Sequence, residues 1–246
     1  MYNYHFIIEY DGTGYSGWQK QKKVKTIQDS IEKVLKRILR EKINVIGSGR
    51  TDRGVHASAQ SAHFITKKKI KSLHKFLSSI NFFLRDKQIS VLEIKKKKIS
   101  FHSRFDAKMR TYTYLIVNRK SRPILHKDRA WHISKKLNFQ SLKKACRLLK
   151  GKKDFTTFRS SSCNAKSPIR TINKAKVIKK DDMIKFIFES KSFLQHQVRS
   201  MVGCIKYVGE GKWSNKKFKS IIDSKKRSFC APPAPPEGLY LTRVDY

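Results

Sequence analysis

An α+β fold is predicted by three features of this sequence. Runs rich in aromatic and β-branched residues, YHFIIEY (4–10) and RTYTYLIV (110–117), have the composition of strands. Ile27, Ile31, Val34, Leu35, Ile38 and Leu39 recur at helical spacing. Strand and helix alternate, but without the strict rhythm of a doubly wound parallel sheet.

Taken in order, the strand at 4–10 ends in the turn-rich DGTGYSGWQKQ (11–21). Thr26 caps the following helix, and Asp29, three residues on, approximates a capping box at the positive helix end. INVI (43–46) makes a short buried strand that runs into the glycine-punctuated loop GSGRTDRGVHA (47–57). SAHFI (61–65) is a further strand, followed by a helix near 71–85 and a strand near 88–94. In the second half, FQSLKKACRLLK (139–150) reads as a helix and 173–190 as a hairpin turning at Asp181–Asp182. FLQHQVRSMVGCIKYVG (193–209) is an apolar-faced helix, and a shorter helix starts near Ser214. The proline run APPAPPEG (231–238) is a rigid lead-in to a last strand, LYLTRVDY. The similar content of the halves suggests two subdomains, 1–105 and 106–246.

Composition narrows the function classes. With 39% hydrophobic residues the chain can bury a core and is not disordered throughout. Lys and Arg total 57 against 18 Asp and Glu, a formal charge of +39. Such a surface attracts polyanions, because each neutralised phosphate releases condensed counterions. Lys67–Lys69 and Lys95–Lys98 read equally well as ordinary solvated faces, so charge alone does not select nucleic acid. Cys146, Cys163, Cys204 and Cys230 form no C-x-x-C pair and no zinc-finger spacing, as in a reduced protein with incidental thiols. The N-terminus reads as a strand rather than a signal peptide, and no apolar run is long enough for a membrane span. A soluble, cytoplasmic protein is expected.

The loop at 47–57 concentrates chemistry. Its glycines allow sharp turns and close approach of a ligand, and between them stand Arg50, Asp52, Arg53 and His56. A carboxylate between two guanidinium groups is expected to stay ionised, which suits a nucleophile or base better than a proton donor. Arg50 lies two residues from Asp52, on the same face of an extended segment, and can pair with it. A purely structural Arg–Asp pair that fixes a tight turn fits the same residues. Asp52 and His56 are too few for a metal site, and the pattern is not a phosphate-cradling G-x-x-x-x-G-K-[ST].

GSGRTDRGVHA resembles the signature loop of the tRNA pseudouridine(38–40) synthase family, TruA type. The likeness continues in order through DGTGYSGWQKQ, TIQDSIEKVL, AKMRTYTYLIVN, FTTFRSSSC, FLQHQVRSMVGCIKYVGEG and PPEGLYLTRVDY, which spans nearly the whole chain. Two positions depart from the pattern. Arg53 stands where alanine is frequent, and Gln197 where methionine is frequent. The resemblance implies a pseudouridine synthase fold: two similar mixed α/β subdomains with a continuous, largely antiparallel sheet flanked by helices. It implies Asp52 as the catalytic aspartate, Arg50 as its loop partner, Tyr112 as the aromatic residue against the target base and Arg199 at the active site. It further implies a homodimer and a tRNA substrate, modified at uridines of the anticodon stem-loop.

The chemistry agrees with those residue types. Pseudouridine formation breaks the bond from C1′ to N1, turns the base and joins C1′ to C5. Nothing is oxidised and nothing external enters, so neither a metal nor an organic cofactor is expected. The reaction needs an ionised carboxylate at the sugar–base junction, a pocket for the detached uracil and extrusion of the nucleotide from its stack. Tyr112 shares a strand face with Arg110 and Tyr114 and can stack on a base, although spacing alone reads equally as a sheet-packing aromatic. Trp18 either shapes the RNA cleft or folds inward, His196 reads as a hydrogen-bonded structural histidine, and His56 and His63 have no evident role. The competing function is a non-catalytic RNA-binding protein on the same scaffold.

Overall fold

The computed structural model describes residues 1–246, which divide into two compact units. Unit 1 comprises Met1–Lys108 and Tyr240–Tyr246, and unit 2 comprises Met109–Leu239.

Unit 1 is built on β1 (Tyr2–Tyr10), which pairs antiparallel with both β3 (His56–Thr66) and β4 (Ile89–Lys97). β3 also takes β2 (Val45–Gly47) antiparallel and β10 (Leu239–Asp245) parallel, through Tyr240 opposite His56 and Leu241 opposite Ala57. This last pairing corrects the sequence reading, which placed everything after 105 in the second subdomain. The final strand pairs with β3 and is counted with unit 1. Tyr4, Phe6, Ile8 and Tyr10 alternate along β1 and are all buried, as strand periodicity requires of a core face. Two helices, α1 (Ile27–Leu39) and α2 (Leu73–Leu84), pack on each other and bury Ile27, Ile31, Leu35, Ile80 and Leu84. Each such side chain stabilises the unit by about 1.5–3 kcal/mol. Thr26 caps α1, its hydroxyl accepting from the Asp29 N–H at 3.4 Å. The Asp29 carboxylate faces Lys20 and Lys33, at 2.9 and 2.7 Å.

In unit 2, β9 (Met183–Ser190) lies antiparallel between β5 (Met109–Val117) and β8 (Ile169–Lys180). Two short strands, β6 (Trp131–His132) on β5 and β7 (Gly151–Asp154) on β8, carry too little pattern to be read from sequence. Tyr112 opposes Phe188, Tyr114 opposes Phe186 and Ile116 opposes Ile184, so one face of the sheet is an aromatic and aliphatic ladder. The helices are α3 (Phe139–Leu148), α4 (Gln197–Gly209) and α5 (Asn215–Ser224), and α4 packs on both others. The apolar segment at 193–209 becomes helical only from Gln197. His196 takes a left-handed backbone (φ 62°), and the Gln197 Oε1 accepts from the Leu194 N–H at 2.8 Å. The fold class is α+β, and no helix is long and apolar enough to cross a membrane.

A second, polar core lies on the other face of β1. The His5 Nε2 meets the Ser61 hydroxyl at 2.7 Å, and Ser61 also bonds Tyr246. The His63 Nδ1 meets Ser103 Oγ at 2.8 Å, and Ser103 Oγ donates to the Ile46 carbonyl at 2.6 Å. Burial pushes both rings down from 6.5 to about 4, with Lys97 lowering His5 further and His102 lowering His63 further. Between those pH values the unfolded chain binds protons that the folded rings refuse. Stability is therefore fully present above pH 6.5 and falls as pH drops towards 4, by roughly 3 kcal/mol per ring at the lower end. Asp29, held below 3.8 by Lys33 and Lys20, loses its contribution only below that window. Urea midpoints measured from pH 7 to 4.5 are expected to fall steadily, and His5→Asn is expected to flatten the curve.

Candidate active site

The loop from Gly47 to Val55 leaves β2 and feeds β3, and it is held by backbone bonds on both sides. On the β3 side, the Ser48 N–H donates to the Ser61 carbonyl at 2.7 Å, and Gln60 Nε2 donates to the Gly49 carbonyl at 2.9 Å. On the other side stands the segment after β1. The Trp18 N–H donates to the Thr51 carbonyl at 3.1 Å, and the Gly54 N–H donates to the Tyr15 carbonyl at 3.3 Å. Tyr10 and Thr51 share a hydroxyl–hydroxyl bond of 2.8 Å. Between these anchors the chain turns tightly, with the Val55 N–H donating to the Asp52 carbonyl at 3.1 Å and Gly54 at φ 75°.

Two glycines make this approach possible. A Cβ on Gly12 would sit 2.1 Å from the Val55 carbonyl oxygen, inside van der Waals contact. Gly17 has φ 90°, and a Cβ there would lie 2.6 Å from the Thr51 carbonyl oxygen. Trp18 folds inward, 2% exposed, with its indole against Gly47. His56, for which the sequence suggested no role, is buried, stacks on Tyr240 at 4.7 Å and accepts the Gly12 N–H on Nδ1 at 3.0 Å. Asp11 Oδ1, which accepts from the Thr13 N–H and hydroxyl, also lies 3.2 Å from that nitrogen. The repeated glycines of DGTGYSG were the available signal for this bracket.

Asp52 is half-buried at the turn, where solute can reach it. Arg50 and Arg53 are exposed, and no ion pair joins Arg50 to Asp52. The backbone bonds of its neighbours hold the turn. No group of three His, Cys, Asp or Glu side chains is placed to hold a metal ion.

Unit 2 carries the other two candidates. Tyr112 is 9% exposed in the middle of β5, and the Phe193 ring meets it edge-on at 5.2 Å and 85°. Such an edge contact fixes the plane of the tyrosine ring. Arg199 is half-buried in the first turn of α4, and its Nε donates to the Ala234 carbonyl at 2.8 Å. The Ala234 N–H returns a bond to the Arg199 carbonyl at 2.9 Å, so the guanidinium plane is set by the proline-rich segment. Tyr114, behind this segment, donates to the Pro235 carbonyl at 2.8 Å, and burial keeps its hydroxyl far from ionising.

The family whose pattern matches residues 6–106 and 145–246 is described as tRNA pseudouridine synthase. Among curated relatives, the tRNA pseudouridine synthase A of Pelagibacter ubique (strain HTCC1062) is 56% identical over the full length of both chains. The chain belongs to this family. The synthases of Rhodopseudomonas palustris (strain BisA53) and Maricaulis maris (strain MCS10) are 43% and 39% identical over the whole chain, covering 100% and 98% of their own lengths. Family membership makes the protein an isomerase that forms pseudouridine in tRNA. In unit 1 the bracketed loop holds a half-buried carboxylate on a backbone tied down from both sides.

Gly12→Ala is expected to force that backbone apart. It should cost about 1–3 kcal/mol of stability and, with Asp52 read as the catalytic group, lower turnover at least ~10-fold, because small misplacements of such a group are expensive. Gly14→Ala is the control: a Cβ there meets nothing within 4 Å, and both stability and turnover should match the parent protein.

Proposed function

We propose that the protein isomerises uridines at positions 38–40 in the anticodon stem-loop of tRNA, with Asp52 as its catalytic residue. The observation that carries this reading is a half-buried carboxylate on a glycine-bracketed loop, in a chain that matches its relatives from end to end. In the reaction the bond from C1′ to N1 breaks and one from C1′ to C5 forms. The proton on C5 is lost, and N1 gains one. Asp52 is the group that assists at the sugar–base junction. Tyr112 packs against the detached uracil, its ring oriented by Phe193. Arg199, its plane fixed by Ala234, offers a fixed positive charge to the bound RNA, and the exposed Arg50 contacts RNA. The basic surface holds the folded tRNA by its phosphates while the target nucleotide is flipped.

We further propose a homodimer working in the cytoplasm, where four unpaired thiols are at home. The reading as a mere RNA-binding protein leaves the accessible Asp52 without use. Tritium release from tRNA labelled at uridine C5 separates the two readings. The parent protein should release tritium, and Asp52→Ala should reduce release by roughly 10³-fold or more while binding tRNA as before. Undiminished release by that variant would remove Asp52 from the mechanism, and an RNA-bound parent protein with no release would favour the binder. Activity is also expected to survive EDTA and exhaustive dialysis. Restoration only by added metal would contradict a mechanism run by side chains alone.

A further inference from the structure

We propose that a groove between α3 and β8 of unit 2 is a second RNA contact, a seat for the phosphodiester backbone away from the candidate active-site residues of that unit. The proposal rests on the reading of the protein as a tRNA-modifying enzyme. The groove has a volume of about 430 Å³ and is lined by one face of α3 and by Ala175–Lys179 of β8. A strand seen face-on contributes alternate residues. Five consecutive ones mean that the groove runs along the strand's outer edge. That edge is open, because β7 pairs with β8 only as far as Ile172. Tyr112 lies on β5, with β9 intervening, so the groove is separate from that ring.

Charge chooses the occupant. Lys143 and Arg147 stand one helical turn apart on α3; Lys179 shares the β8 face of buried Val177, and Lys176 borders the same edge from the opposite face. All four are exposed, and none forms an ion pair with a carboxylate. Three cations elsewhere on this unit do have carboxylate partners: Lys174 has Glu189, Lys206 has Glu210 and Arg119 has Asp182. Two rows of unneutralised cations flank a floor of Phe139 and Val177, and unpaired strand amides border it. Phosphate oxygens accept from lysine, arginine and backbone N–H alike, and the floor suits the ribose between them. An added β-strand is the other natural guest of an open edge. Lysines along an edge are, however, the usual device against strand pairing, and they favour RNA here.

The test is the triple variant Lys143→Glu, Arg147→Glu, Lys176→Glu, made in the full chain, with tRNA binding measured across a salt series. The substituted side chains are exposed, and thermal unfolding checks that the fold survives. A milder triple alanine variant serves if it does not. The expected result is a slope of log K against log salt that is shallower by roughly 2–3, since each lost phosphate contact removes about 0.7–0.9. KM for tRNA should rise at least ~10-fold at physiological salt with kcat within about twofold, as for lost ground-state binding. Bound tRNA should also protect Lys143, Lys176 and Lys179 from acetylation. An unchanged salt slope and KM would overturn the proposal. Protection by polyglutamate but not by tRNA would overturn it in favour of an acidic peptide. Binding needs no turnover, so its outcome stands apart from that of tritium release: a groove that binds RNA in an inactive chain would spare this proposal and sink the enzymatic reading.

Discussion

The structure of the first unit depends on two backbones approaching closer than any side chain would permit. Gly12 and Gly17 lie against Val55 and Thr51, and hydrogen bonds from Trp18 and Gly54 close the gap. Exposed loops ordinarily move. Here the loop carrying the half-buried Asp52 is strapped from both sides by main-chain bonds. The order of the first sixty residues builds this arrangement. A buried strand delivers the bracket, a capped helix returns the chain, and β2 delivers the loop beneath it.

Unit 2 solves a related problem with side chains. Tyr112 sits in a ladder of paired aromatics on β5 and β9, and Phe193 sets the plane of its ring. Arg199 is held by a reciprocal pair of bonds to Ala234, in a segment whose prolines restrict its backbone. Both side chains are thus held in place, which on the proposed reading reduces the ordering cost of binding RNA. The charge of +39 acts differently. Much of it is spread over solvated faces.

Much of this was legible in the sequence, for identifiable reasons. Helix α1 announced itself through its apolar spacing and Thr26, and the hairpin of β8 and β9 through Asp181–Asp182. The loop 47–57 stood out by its glycines and charges. Other features were hidden because they depend on distant partners. β6 and β7 are too short to carry a pattern, and the return of β10 to β3 pairs residues some 180 positions apart. His56 looked idle in one dimension, since its partners Gly12 and Tyr240 lie far from it in the chain. Nearness in sequence suggested that Arg50 can pair with Asp52; Arg50 is exposed, and the glycine contacts with the preceding loop could not be read from spacing.

Amide hydrogen exchange at Trp18, Gly54 and Val55 examines the bracket most directly, because these N–H groups make the bonds that hold the loop. The account predicts protection close to that of the strand amides in β1 and β3, lost together in Gly17→Ala while β9 keeps its own. Exchange of those three amides at the rate of an open loop, in a protein that still forms pseudouridine at full speed, would contradict it.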